Sequence, residues 1–124
     1  LGGEERDIEL LIDDLKNNPM INGVTFSGGD PFEQADKFAY MAKRIKELGL
    51  NIWCYTGYTF EYILENLNKR DGWEELLNNI DVLVDGKFEI SKKIDGLKFK
   101  GSTNQRIIDV NQSLKNKKIK LIEF

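Results

Sequence analysis

An α/β fold built on a parallel sheet is predicted by three observations. Apolar residues recur at helical spacing in several stretches. Short β-branched and aromatic runs alternate with those stretches. Glycines or an Asn-Pro step punctuate the junctions between them. Strands alternating with helices imply right-handed crossovers and a single layered core. At 124 residues the chain is expected to be one domain with a core that needs no disulfide or metal staple.

The elements follow in order. Residues 1–6 read as a loop, and residues 7–17 as a helix with Ile8, Leu11, Ile12 and Leu15 on one face. Asn17-Asn18-Pro19 stops that helix. Residues 23–27 (GVTFS) read as a strand that Gly28-Gly29 breaks. From Pro31 the pattern is helical again, with Phe38, Met41, Ala42, Ile45 and Leu48 on one stripe and Gly49 as terminator. Residues 51–56 (NIWCYT) form the next strand. Thr59 caps a helix carrying Phe60, Ile63, Leu64 and Leu67, and a short helix follows Asp71-Gly72 from Trp73 to Leu77. Residues 81–85 (DVLVD) are the third strand. Residues 89–100 read as a polar loop. Ile107, Ile108 and Val110 suggest a short strand, and residues 119–124 another. The lysine-rich residues 115–120 read as a solvated turn.

Composition excludes several chemistries. The chain has no histidine, which removes Ser-His-Asp triads and every histidine-containing zinc site. It has one cysteine, Cys54, so neither an internal disulfide nor a cysteine-only metal site can be completed from these residues. Cys54 falls on a strand, where a buried core thiol is its simplest role. The net charge of −3 argues against a nucleic-acid binder. No apolar run is long enough to span a bilayer and no signal-peptide pattern opens the chain. With a single cysteine, a cytoplasmic, reducing setting is expected.

The segment Ser27-Gly28-Gly29-Asp30-Pro31 lies at the C-terminal end of a strand, where α/β folds build their sites. Two glycines permit a sharp bend and close approach to a ligand. Pro31 suits the first helical position, and the helix N-terminus offers unpaired N–H groups. With the Asp30 carboxylate and the Ser27 hydroxyl, the segment could hold a zwitterionic amino acid. Asp30 with Glu33 equally matches a capping box, in which case both residues only start a helix. A phosphate loop is excluded because Gly29-Asp30 stands where Lys-Ser/Thr would be needed, and no G-x-G-x-x-G occurs. Leu83, Asp85 and Lys87 alternate along the third strand and would share a face, either beside a substrate or as a salt-bridged pair. Thr56 is either a ligand contact or a turn hydroxyl. Trp53, Tyr55, Tyr58, Phe60 and Tyr62 read as an aromatic cluster, of the kind that usually fills a core.

Four blocks, in order, resemble one family. SGGDP resembles the glycine-glycine-acid motif of radical S-adenosylmethionine (SAM) enzymes. Trp53-Cys54-Tyr55-Thr56-Gly57-Tyr58 resembles the W-x-[WY]-TGY strand end of the activating proteins of anaerobic ribonucleotide reductase. Asp81-Val82-Leu83-Val84-Asp85-Gly86-Lys87-Phe88 is similar to their DVLVDGKF segment. Gly101-Ser102-Thr103-Asn104-Gln105-Arg106 is similar to their RGSSNQR segment, with Lys100 and Thr103 as departures. The blocks span residues 24 to about 110.

The resemblance implies a partial (β/α) barrel of the radical SAM type, with residues 1–124 forming one core domain truncated at its N-terminal end. It implies that Ser27, Gly28, Gly29 and Asp30 hold the methionine end of SAM and that Thr56, Asp85 and Lys87 line the same cavity. Related activating enzymes place equivalents of Asp85 and Lys87 near the SAM carboxylate or a nearby cation. Ser102 and Asn104 would reach toward the adenosine. The family's [4Fe–4S] cluster sits on a C-x-x-x-C-x-x-C loop that this sequence lacks, so the cluster cysteines are expected upstream of Leu1 and the chain itself is expected to be inactive. The implied activity is reductive cleavage of SAM to a 5′-deoxyadenosyl radical, which generates a glycyl radical on the large subunit of anaerobic ribonucleoside-triphosphate reductase. No catalytic side chain is required of the protein. An electron donor such as flavodoxin or ferredoxin is implied, with no nucleic acid and no membrane. A missing first strand would leave a sheet edge through which the chain self-associates. An activator of another glycyl-radical enzyme, of the pyruvate formate-lyase type, and a non-catalytic α/β module binding a small ligand or a protein are the alternative readings.

Overall fold

The computed structural model describes residues 2–93 and 99–123. Helix α1 (Gly2–Lys16) leads into strand β1 (Gly23–Phe26). A 3-10 turn (Pro31–Gln34) runs into α2 (Ala35–Glu47), and β2 (Asn51–Tyr55) follows. Two short helices, α3 (Phe60–Glu65) and α4 (Trp73–Asn78), precede β3 (Val82–Asp85). Strand β4 (Arg106–Asp109) continues directly into α5 (Val110–Asn116). The sheet order is β1-β2-β3-β4.

Burial alternates along the strands as a one-sided sheet requires. Phe26, Ile52, Cys54, Leu83 and Ile108 enter a single core together with Ile8 and Ile12 of α1, the alanine stripe and Ile45 of α2, Ile63 of α3 and Leu76 and Leu77 of α4. The helices therefore cover one face. Thr25, Trp53, Tyr55, Val84 and Ile107 alternate with those core residues and occupy the other. Trp53 meets Phe99 there, with ring centroids 5.1 Å apart.

Helix starts and stops follow local chemistry. Asp30 caps the 3-10 turn through Phe32 N–H, Thr59 caps α3 through Tyr62 N–H, and Asp109 caps α5 through Gln112 N–H. Gly49, at φ +78°, ends α2 as expected.

Several expectations are corrected. The sheet is mixed, not all parallel: β1, β2 and β3 are parallel, and β4 is antiparallel to β3. Residues 86–105 contain no helix long enough to carry the chain back across the sheet among the described residues, so β4 starts at the end where β3 finishes. Val110 is the first residue of α5, because Asp109 caps a helix there. Residues 2–6, read as a loop, are helical. No proline interrupts them, and extending an existing helix costs little even through glycine; Leu1 lies outside the described residues. Leu121 forms only an isolated bridge with Ile108, supported by Ile122 N–H to Ile107 O at 2.8 Å; Phe124 lies outside the described residues. The 89–100 loop contains a 3-10 turn (Ile90–Lys92) and a bridge from Lys93 to Ser102, and its residues 94–98 are outside the description. Leu11 stays partly exposed, so the buried face of α1 is narrower than its spacing suggests.

Asp81 ties three elements together. Its carboxylate accepts from Ile52 N–H and Lys46 Nζ at 2.8 Å each, and from Asn111 Nδ2 at 3.1 Å. Burial pushes the carboxyl up, but Lys46, the Ile52 N–H and Asn111 outweigh it and hold the acid below its ordinary range. A depressed carboxyl stabilises the fold at neutral pH, and that stabilisation is lost as pH falls through the folded-state value. Asp81→Ala is expected to cost about 2–3 kcal/mol, because it strands a strand N–H and a half-buried ammonium. Urea denaturation at pH 7 measures this; a loss below about 0.5 kcal/mol would mean that water satisfies all three donors in place of the carboxylate.

Candidate functional site

The C-terminal ends of the three parallel strands and the start of β4 converge at one end of the sheet. The loops that leave them bring together residues far apart in sequence. Asp30 is the centre. Its Oδ1 accepts from Phe32 N–H at 3.0 Å and Thr56 Oγ1 at 2.9 Å, and its Oδ2 accepts from Gly57 N–H at 2.9 Å. One carboxylate thus starts the helical segment after β1 and fastens the loop after β2. It is a helix cap, and it also faces a cavity.

Thr56 is buried and doubly used. Its hydroxyl donates to Asp30 and accepts from Tyr58 N–H at 3.2 Å, and its own N–H donates to Val84 O at 3.0 Å. Gly28 takes φ +90°, a left-handed backbone that a side chain would strain, and nothing lies within 4 Å of where its Cβ would be. The turn therefore opens toward empty space.

The cavity, about 240 Å³, is lined by Gly28, Asp30, Thr56, Gly57, Gly86 and Lys87, with Tyr55, Phe88 and Gln105 completing the wall. Lys87 lays its side chain over Gly57: a Cβ placed on Gly57 would meet Lys87 Cγ at 3.2 Å and Asp30 Oδ2 at 3.6 Å. Among the described residues the Lys87 ammonium has no ion-pair partner. A carboxylate and a lysine side chain on the wall of one small cavity, with backbone amides beside them, suit an amino-acid zwitterion. A second groove, about 670 Å³, shares Gly57, Gly86 and Lys87 with the first and extends to Asp85, Asn104 and Arg106.

Of the residues singled out from sequence, Gly28, Asp30, Thr56 and Lys87 line the smaller cavity, whereas Ser27, Gly29 and Asp85 do not. Ser27 is exposed on the loop. Gly29 lies near the Gln34 amide. Asp85 shares the larger groove with Lys87 but not the smaller cavity. Strand β3 ends at Asp85, and Gly86 at φ +92° breaks the alternation. Asp85 is 1% exposed and its carboxylate is taken by Arg106 Nε at 3.1 Å, Arg106 Nη2 at 2.6 Å and Phe60 N–H at 2.8 Å. Arg106 also reaches Glu61, whose carboxyl it holds below the usual range.

Ser102 and Asn104 serve the loop after β3. Ser102 Oγ donates to Asn104 Oδ1 at 2.6 Å, and Asn104 Nδ2 donates to Lys87 O at 2.7 Å. The aromatic residues form two groups, not one. Tyr58 and Tyr62 stack 5.4 Å apart against Trp73 on the helical side, and Trp53 and Tyr55 lie on the opposite face with Phe99. Sequence reasoning passed over Gly57 N–H and Gln105. Gly57 was legible only as a turn, and a buried glutamine before a strand carries no local signal.

An iron–sulfur cluster does not fit these residues. Cys54 is the single cysteine of the 124 residues and is fully buried; burial, helped by the charge of Asp30, pushes its thiol up and keeps it protonated. Among the described residues no three acidic or cysteine side chains gather as a metal site. No helix among them is long and apolar enough to cross a membrane.

Comparison with known proteins bears on this arrangement. Residues 3–108 match a family described as a 4Fe-4S single cluster domain. A protein of Vibrio cholerae named anaerobic ribonucleoside-triphosphate reductase-activating protein is 40% identical over 104 residues, covering 80% of this chain and 63% of the relative. A protein of the same name from Pasteurella multocida is 34% identical over 114 residues, covering 88% of this chain and 70% of the relative. One from Enterobacteria phage T4 is 34% identical over 93 residues, covering 70% and 53%. The chain thus spans 63% of the length of the Vibrio cholerae relative. No solved structure matches.

Proposed function

Since the chain belongs to the family of anaerobic ribonucleoside-triphosphate reductase-activating proteins, we propose that it is the SAM-holding part of such an activator, acting on the reductase. The observation that carries this reading is that Asp30 and Lys87 line one cavity of about 240 Å³ at the strand ends. Asp30 would take the ammonium of the methionine end and Lys87 its carboxylate, with the Gly28 turn giving the backbone close approach. Thr56 would hold Asp30 in place. Ser27, Gly29 and Asp85 would support the loops from outside the cavity wall. The larger groove beyond Lys87 leaves room for the nucleoside. Bound SAM would supply the hydrogen-abstracting chemistry that oxidises a glycine of the reductase, the one electron its sulfonium takes up coming from an external one-electron donor. The protein's own residues bind and orient; none need donate or accept a proton. The thiolates of a [4Fe–4S] cluster are not among these residues.

A partial barrel of the radical SAM type is part of the same reading. Helices on a single face, aromatic and polar residues on the other, and β1 at a free edge are what an arc of such a barrel would present. Titrating the labelled chain with SAM by NMR tests the proposal. The Gly28 and Gly57 amides are expected to shift in the wild type. Asp30→Asn, which keeps an acceptor for the cap and removes the charge, is expected to weaken binding at least about tenfold. Affinity unchanged in a folded Asn variant would remove Asp30 from the site, and a wild type without shifts would remove SAM.

A further inference from the structure

We propose that Gln105 is a positioning residue that fixes Lys87 for the carboxylate of the ligand, an inference that rests on the SAM reading above. Gln105 is 8% exposed and spends its whole amide on backbone. Its Oε1 accepts from Gly101 N–H at 2.7 Å and Ser102 N–H at 3.3 Å, and its Nε2 donates to Gly86 O at 3.0 Å. Gly86 N–H is held from the other side by Tyr58 O at 3.0 Å. The left-handed Gly86 is therefore clamped at both polar groups. The next carbonyl, Lys87 O, is held by Asn104. Both peptide units flanking the Lys87 Cα are thus fastened by residues just ahead of β4.

This matters because Lys87 stands outside the ladder. Strand β3 ends at Asp85. An exposed lysine on a free loop loses much rotamer entropy when it binds an anion. Here its backbone is fixed and its stem lies over Gly57, beside Asp30 on the wall of the same cavity. Binding then costs less ordering, as preorganisation requires.

The amide can be dissected. Gln105→Glu keeps the acceptor for Gly101 and Ser102, loses the donor to Gly86 O and adds a negative charge at the cavity wall, for which an uncharged variant of Asn104 is the control. Asn104→Ala cuts the Lys87 O contact on a less buried residue. Both are tested by NMR titration with SAM and with decarboxylated SAM, which lacks only the carboxylate. Gln105→Glu is expected to weaken SAM about tenfold and leave decarboxylated SAM unchanged, with Asn104→Ala weaker in the same selective sense. Combined with Lys87→Met, Gln105→Glu is expected to add no further loss, since both act on one contact. Unchanged SAM affinity in both Gln105→Glu and Asn104→Ala would overturn the proposal, as would equal loss of both ligands, which marks a merely structural glutamine. If the wild type binds neither ligand, the SAM reading itself falls. If it binds SAM and only the Gln105 effect is missing, that reading stands and this one does not.

Discussion

Replacing Asp85 with alanine is expected to destabilise the protein by about 3–5 kcal/mol, the range for removing one partner of a buried, hydrogen-bonded ion pair. Asp85 meets the Arg106 guanidinium through both oxygens, at 3.1 and 2.6 Å, on adjacent strands in direct register. It also caps α3 by accepting Phe60 N–H at 2.8 Å. Loss of the carboxylate leaves a half-buried guanidinium with only the exposed Glu61 and a helix N-terminus short of an acceptor. Chemical denaturation with intact two-state behaviour is the measurement. A loss under about 1 kcal/mol would show that Glu61 and water suffice for Arg106. Asp85→Asn should fall between, because it keeps a cap and one neutral bond to Arg106.

Trp73→Ala is expected to cost a similar about 3–5 kcal/mol by a different route, a cavity in place of a large ring. Trp73 is 1% exposed and sits against Phe32 at 5.3 Å and Tyr58 at 5.0 Å, with the Arg70 guanidinium over it at 4.5 Å. Its Nε1–H donates to Phe32 O at 2.8 Å. Trp73→Phe separates the terms: it keeps most of the ring and leaves the carbonyl unpaired, for about 1–2 kcal/mol. Thermal or urea unfolding of the two variants gives the split. Equal losses in both would place the stabilisation in the hydrogen bond rather than in the packing. Because Phe32 lies two residues after Asp30, the alanine variant should also loosen the cap loop, visible as broadening of the Gly28 and Gly29 amides.

Local rules in the sequence were enough where the signal was local. The stripe of α2, the Gly49 stop, the Thr59 cap and the DVLVD strand depend on residues within a few positions of one another, and each stands where the pattern predicts. Asp30 at a strand end was equally legible. Long-range geometry was not. The direction of β4 depends on how residues 86–105 return, which no periodicity records. The pairing of Asp85 with Arg106 rather than Lys87 depends on that direction and on the left-handed turn at Gly86. The union of Asp30 with Thr56 and Gly57 spans 26 and 27 residues, and only the sheet brings these groups together.

The three bonds at Asp30 have a stereochemical consequence. An ionised carboxylate offers about four lone-pair directions. Phe32 N–H and the Thr56 hydroxyl occupy those of Oδ1, the hydroxyl leaning also toward Oδ2 at 3.1 Å, and Gly57 N–H takes one on Oδ2. One direction remains. A cation entering the cavity can place a single N–H on Asp30, along a line fixed by the turn, and must satisfy its other hydrogens on carbonyls or water. That one contact fixes the nitrogen's line of approach, and a choice of hand at the carbon bearing it needs two further contacts.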